Sequence, residues 1–156
     1  MSQQQGSGQQ GLQELSQQLQ ELDAVQNELE AQVAALNSQK SEVGEAISAL
    51  SQLETDSTVQ VPLGGGAYVR ASIEDIDEVT VSLGSNFLAE RDRDGAIETL
   101  EHRRETIDER IDDLREDLAE VESNIQAVEG RAEQLRQQLL QQQMQGMQQQ
   151  QGGEGQ

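Results

Sequence analysis

The sequence predicts a mainly α-helical protein with a small β component, a long antiparallel coiled-coil hairpin whose two helices are joined by two β-hairpins. Two segments carry apolar residues in a seven-residue repeat, and the segment between them changes to a two-residue alternation. The 156-residue chain also has one Tyr, one Phe and no Trp. So few aromatic side chains cannot fill a conventional globular core, whereas a coiled-coil seam needs only aliphatic ones.

The chain is strongly acidic, with 30 Asp and Glu against 10 Lys and Arg and a formal net charge of −20. This balance argues against non-specific binding to nucleic acid or anionic membranes, because both require cationic patches. Cysteine is absent, and no apolar run approaches the ~18–20 residues that span a bilayer. Residues 1–11 lack the features of a secretory signal. We therefore expect a soluble, cytoplasmic protein.

Composition divides the chain into five segments. Residues 1–11 and 143–156 are rich in Gln and Gly. We predict that both are disordered tails, although such flanks can extend a helix by a turn or two. Between them, coiled-coil helices at residues 12–54 and 95–142 enclose a β module at residues 55–94.

The first helix has two seam positions in each heptad. One is apolar throughout: Leu15, Leu22, Leu29, Leu36, Val43 and Leu50. The other is apolar except at two places: Leu12, Leu19, Gln26, Val33, Lys40 and Ile47. The polar residues Gln26 and Lys40 lower stability but are of the kind that fixes the register of a coiled coil.

The central segment predicts two β-hairpins in series. Valine and leucine alternate with polar residues before Gly64–Gly66, and again before Gly84-Ser85. Strand, glycine turn, strand is the hairpin pattern, because glycine accepts the positive φ of tight turns. We predict a two-residue turn at Gly84-Ser85 and a looser one at the three glycines. Pro62 lacks an amide donor, so its strand is expected at an edge or at an irregularity.

The second helix has a more regular seam, and Asp94 is the predicted N-cap. One seam position contains Ile97, Arg104, Ile111, Leu118, Ile125, Ala132 and Leu139. The other contains Leu100, Ile107, Leu114, Val121, Val128 and Leu135.

Two short hairpins cannot bury enough surface to be stable alone, and their exposed edges favour pairing with other chains. We therefore predict that the module assembles subunits, with strands from several chains completing a sheet or barrel. The candidate assembly residues are apolar side chains of the four strands: Val59, Val61, Leu63, Tyr68, Val69, Val79, Val81, Leu83, Phe87 and Leu88.

Residues 61–71 (VPLGGGAYVRA) and 81–90 (VSLGSNFLAE) resemble the α subunits of archaeal prefoldin. The two hairpins are similar to the α rather than the β type of that family, and the acidic composition is similar to the haloarchaeal type. The resemblance implies a heterohexamer of two α and four β chains, joined in a β-barrel platform. It also implies an ATP-independent holdase that binds non-native polypeptides at the coiled-coil tips and passes them to the group II chaperonin.

A client-binding tip would lie where the first helix starts and the second ends. Its candidates are apolar residues near those ends: Leu12, Leu15, Leu19, Leu135, Leu139, Leu140, Met144 and Met147. Methionine adapts its shape to varied apolar partners, which suits promiscuous binding. The alternative is that the leucines on the heptad repeat simply complete the seam.

No pattern predicts an enzyme, a cofactor or a metal site. His102 is the single histidine, on the outer face of the second helix. Residues 92–95 lack the ligand spacing of a calcium loop, and the three glycines lack the Lys-Ser/Thr of a phosphate-binding loop. Asp75, Asp77 and Glu78 are expected in a solvated loop. The alternative function is a structural or tethering coiled-coil protein that binds no client.

Overall fold

The computed structural model describes residues 2–153, with side-chain environments for residues 6–148. Within that range two helices enclose two β-hairpins, which confirms the predicted fold class. The elements in chain order are α1 (Ser2–Gln52), β1 (Thr58–Gly64), β2 (Ala67–Ser72), β3 (Val79–Gly84), β4 (Phe87–Arg91) and α2 (Arg93–Gly153).

Both helices extend into the segments predicted to be disordered tails. Residues 2–11 belong to α1, and residues 143–153 belong to α2. The physical reason is that glutamine, the commonest residue of both segments, has a good helix propensity, so each helix continues from its seam. Met1 and residues 154–156 lie outside the described residues.

Helix α2 begins two residues earlier than predicted, and its N-cap is Asp92 rather than Asp94. The Asp92 side chain accepts a hydrogen bond from the Gly95 amide at 2.8 Å, and its carbonyl accepts one from the Ala96 amide at 2.9 Å. Both bonds are typical of the cap position, where the first amides of a helix have no intrahelical partner. Asp94 instead lies in the first turn, where its negative charge interacts favourably with the positive end of the helix dipole.

By packing, the chain divides into two units. The first combines residues up to Val33 with those from Asp113 onward, and the second comprises Ala34–Asp112. In the first unit the helices are antiparallel, with Gly8 beside Leu139 and Gly11 beside Leu135. The buried side chains of this unit include Leu114 and Val128.

The second unit contains the remaining helical segments and both hairpins. Its buried apolar side chains come from α1, β3 and α2: Val43, Val81, Ala96, Leu100, Ile107 and Ile111. In both units every residue predicted for the two seams is buried or half-buried. Lys40, one of the polar seam residues, forms an ion pair with Asp108 of α2 at 2.6 Å. This pair joins the two helices, as expected for a residue that specifies register.

The two hairpins are copies of one pattern, 20 residues apart. Val61 pairs with Val69 in the first hairpin, and Val81 pairs with Ala89 in the second. In each, the register shifts just before the turn, at Pro62/Gly64 and at Ser82/Gly84. The irregularity expected at Pro62 is therefore present.

Both turns have the same backbone, which differs from the prediction. The second turn consists of Ser85 and Asn86, with φ of 51° and 67°, and Gly84 precedes it with φ of 95°. Gly64, Gly65 and Gly66 take the same three roles, with φ of 97°, 60° and 81°. Positive φ at two successive turn residues matches the right-handed twist of the strands. The predicted two-residue turn is thus shifted by one position, and the three glycines form an equally tight turn.

Two alanine substitutions at glycine should have opposite effects on stability. Gly84→Ala should destabilise the protein by about 1–2 kcal/mol, because φ of 95° is strained for a residue with a Cβ. Gly44→Ala should stabilise it by about 0.5–1 kcal/mol, because Gly44 is inside α1 and a Cβ there meets nothing within 4 Å. Denaturant unfolding of both variants measures this. Equal effects at the two positions would contradict the assigned turn.

Candidate functional site

The ten candidate assembly residues fall into two groups in the structure. Val59 and Val79, at the starts of β1 and β3, are half-buried, and Val81 is buried. The other seven are exposed: Val61, Leu63, Tyr68, Val69, Leu83, Phe87 and Leu88. Exposed apolar patches of this kind are typical of surfaces that bind other proteins.

The two hairpins differ in what covers their equivalent faces. Val81 is 6% exposed, and it lines a groove together with Leu50 of α1 and Leu100 of α2. Its counterpart 20 residues earlier, Val61, is 41% exposed, and Val69 opposite it is 46% exposed. The second hairpin therefore contributes a valine to the core of its own unit, whereas the first presents the same kind of face to solvent.

Arginine side chains of α2 connect this helix to neighbouring backbone. The Arg103 guanidinium donates a hydrogen bond to the carbonyl of Ser82 in β3, and Arg93 donates one to the carbonyl of Leu53. Both bonds are partly buried, and hydrogen bonds to a charged donor are stronger than neutral ones. They hold β3 and the end of α1 against α2. Each hairpin is nonetheless a two-stranded sheet, so all four strands are edge strands in the described part of the chain.

The eight candidate tip residues also separate into two groups. The five leucines on the heptad repeat are half-buried: Leu12, Leu15, Leu19, Leu135 and Leu139. The remaining three, Leu140, Met144 and Met147, are exposed by 57%, 70% and 70%. The burial of the five fits the alternative that they complete the seam, and the three exposed residues are left as the available apolar surface.

The three exposed residues share one face of α2. They lie at spacings of four and then three residues, and such spacings place side chains on the same side of a helix. We call Leu140, Met144 and Met147 the apolar stripe. Sequence reasoning selected these residues but not their common face, because the face exists only if the segment predicted to be a disordered tail is helical.

A groove in the same unit is lined by residues of both helices. It is lined by Ser7 and Gly8 of α1 and by Leu135, Gln138, Leu139 and Gln142 of α2. Gly8 allows a close approach, because a Cβ at this position would lie 2.6 Å from Leu139 Cδ2. The lining of the groove therefore combines leucine with glutamine and serine side chains.

The acidic residues between the hairpins have structural partners. The Asp75 carboxylate accepts a hydrogen bond from the Asp77 amide at 2.9 Å, and Thr55 Oγ1 accepts one from the Ile76 amide at 3.2 Å.

His102 is exposed on α2, 3.9 Å from the Glu105 carboxylate. Within the described part of the chain, no three His, Asp or Glu side chains are grouped as metal ligands would be. Neither helix, over the residues described, has the length and hydrophobicity needed to cross a membrane.

These features define a class of protein, a helical hairpin subunit that carries a double β-hairpin module with exposed apolar strands. The chain belongs to the prefoldin family, since the family model for prefoldin subunits matches residues 22–138. This confirms the resemblance found in the hairpin sequences.

Relatives of the chain include prefoldin α subunits of salt-loving archaea. The chain is 59% identical to that of Haloarcula marismortui over 69 residues, which are 44% of this chain and 45% of the relative. It is 50% identical to that of Halorubrum lacusprofundi over 103 residues, 66% of this chain and 68% of the relative. The match to the first of these relatives thus spans less than half of its length.

A solved structure has a similar fold. It is a cryo-EM structure of filamentous PFD from Methanocaldococcus jannaschii, matched with a TM-score of 0.51 and 25% sequence identity. The match covers 79% of this chain and 98% of that one. The similarity therefore includes the helices and hairpins together.

Proposed function

We propose that this chain is the α-type subunit of an ATP-independent holdase that binds non-native polypeptides. The observation that carries the proposal is the apolar stripe, where Leu140, Met144 and Met147 lie exposed along one helical face. A surface helix normally has its apolar side chains against a partner. Two flexible methionines beside a leucine suit clients of varied shape, because the thioether side chain repacks easily.

Assembly in this proposal uses the hairpins. The exposed side chains of β1, β2 and β4, together with Leu83, would be covered by strands of other subunits. We propose that the partners are prefoldin β subunits, in a heterohexamer of two α and four β chains whose strands close into β-barrels. Closure removes the unpaired edges that two-stranded sheets expose. Val81 contributes by holding β3 on its own helices.

Clients in this proposal are released to the group II chaperonin in the cytoplasm. A holdase without a nucleotide site can release its client only by reversible binding, and weak apolar contacts dissociate readily. The stripe of one subunit is short, so a client of appreciable affinity would contact several subunits at once. Avidity then supplies strength without any single tight contact.

Suppression of aggregation tests the proposal against the tethering alternative. The full complex with β subunits is mixed, without ATP, with a chemically unfolded client that aggregates on dilution, and light scattering is recorded. We expect scattering to fall as the complex is added, up to stoichiometric amounts. Unchanged scattering at excess complex would favour an inert tether, because a tether needs no client contact.

Assembly should also depend on salt, because the chain has a net charge of −20. The two α chains of the proposed hexamer carry like charge and repel each other, and at ~1 M salt the Debye length falls to ~3 Å, which screens this repulsion. We expect the complex to dissociate progressively as molar salt is diluted to ~0.1 M, with the fraction assembled measured by analytical ultracentrifugation. A complex equally stable at both salt concentrations would contradict this expectation.

A further inference from the structure

Oxidisable sulfur in this chain is concentrated on the apolar stripe. The sequence contains no cysteine and three methionines. Met1 lies outside the described residues, and the other two, Met144 and Met147, are two of the three members of the stripe. Each is 70% exposed, so a small oxidant in solution reaches either thioether directly. Susceptibility of methionine to oxidation follows this accessibility.

We propose that oxidation of Met144 and Met147 to methionine sulfoxide is a reversible switch that turns the apolar stripe off. The inference rests on the proposed holdase function. The oxidant is a two-electron oxidant of the peroxide class. The thioether sulfur attacks one peroxide oxygen, a sulfur–oxygen bond forms, and the O–O bond breaks. The transferred oxygen gives its proton to the departing hydroxide, which leaves as water. Sulfur is oxidised by two electrons and the peroxide is reduced by two.

The product changes the chemistry of the stripe. A sulfoxide is polar and strongly hydrated, so a client must strip water from two of the three side chains before it makes contact. Only Leu140 remains apolar. A thiol-dependent methionine sulfoxide reductase reverses the step, returning the oxygen as water while two thiols become a disulfide.

Oxidation of the stripe is not expected to disturb the fold of the chain. Met144 and Met147 are exposed before oxidation, so the added oxygens displace no packed neighbour. The seam beside them is built from leucines, among them Leu135 and Leu139. Oxidation is therefore expected to leave the helices and the assembled complex intact, and to change only what the stripe binds.

The test uses the full complex, treated with hydrogen peroxide and then freed of it. Peptide mapping by mass spectrometry should find one added oxygen at each of Met144 and Met147, and the native mass should remain that of the intact complex apart from added oxygens. We expect the amount of complex needed for half-suppression of client aggregation to rise by at least about ten-fold, because losing the burial of even one such side chain weakens binding by about that factor and two are lost here. Treatment with sulfoxide reductases and dithiothreitol should reverse the rise.

A matched variant controls for oxidation elsewhere in the complex. Met144→Leu/Met147→Leu is assembled with the same β subunits, and its treated sample is compared with its own untreated sample. We expect a ratio near one, since leucine cannot be oxidised. Retention on a phenyl hydrophobic-interaction column gives a readout without any client, and peroxide should shorten it for the native chain only.

Three outcomes would overturn the inference. Sulfoxides at both positions with unchanged suppression and retention would show that the stripe is indifferent to them. An equal loss in the leucine variant would assign the effect to other residues. No suppression by the untreated complex would instead refute the holdase proposal, and the switch with it.

Discussion

Replacing Leu140, Met144 and Met147 together with glutamine should abolish aggregation suppression by the assembled complex. Each of these side chains is more than half exposed. In the proposed complex its apolar surface would be buried against the client. Full burial of one such side chain is favourable by about 1.5–3 kcal/mol, so losing three should weaken client binding by at least ~100-fold. Glutamine has a good helix propensity, so α2 should persist. Light scattering with an unfolded client measures the loss.

The matched control changes three other exposed residues of α2 to glutamine. Glu129, Arg131 and Glu133 lie on the same helix, are exposed, and are not part of the stripe. Their replacement should leave suppression unchanged, and circular dichroism should give the same helix content for both triple variants. Normal suppression by the stripe variant would move the client site elsewhere.

Replacing Leu63, Phe87 and Leu88 together with serine should prevent assembly. These are the most exposed apolar side chains of the hairpins, at or beside the two turns. In the proposed complex, strands of another subunit would cover them. Their loss would reduce the favourable free energy of each subunit contact by several kcal/mol, on the order of 1.5–3 kcal/mol for each buried side chain. Because they are exposed in the single chain, its folding should be nearly unaffected. Size-exclusion chromatography with light scattering should find the variant chain separate from the β subunits.

Val25→Ser is the control for this variant. Val25 is an apolar side chain of α1, 47% exposed and distant in sequence from the hairpins. Its replacement also removes exposed apolar surface, but the complex should assemble normally. An intact complex with the triple serine variant would contradict the assignment of the hairpins as the assembly surface.

The seams could be predicted from sequence because their signal repeats. Each of the two helices carries six or more heptads of one period, and a single misplaced residue such as Lys40 does not disturb the pattern. The helix ends have no such redundancy. A Gln- and Gly-rich composition is compatible with a disordered tail or with a helix. These segments are helical because each continues an adjoining coiled-coil helix. The predicted N-cap, Asp94, differs from the observed one, Asp92, for a similar reason. Aspartate is an equally good capping residue at either position, so the sequence alone does not distinguish them.

The sequence predicts which residues belong to the candidate sites, but not which of them are buried. Val61 and Val81 occupy the same place in two hairpins of one pattern, and no local feature tells which of them is buried. Packing decides it, because Val81 lies in the groove with Leu50 and Leu100. The predicted turn, Gly84-Ser85, lies one residue before the observed turn, Ser85-Asn86. The difference arises because Gly84 belongs to a bulge, which adds a positive φ that two-residue turns do not need.

Native mass spectrometry of the chain co-expressed with a β-type subunit is the most direct test of the proposed complex and of its client binding. The complex is measured in volatile salt as concentrated as the method allows, alone and with an unfolded client, without nucleotide. We expect a mass of two α and four β chains, and a second species heavier by the client. An α chain that stays monomeric beside abundant β subunits, or a hexamer that never gains the client's mass, would contradict it.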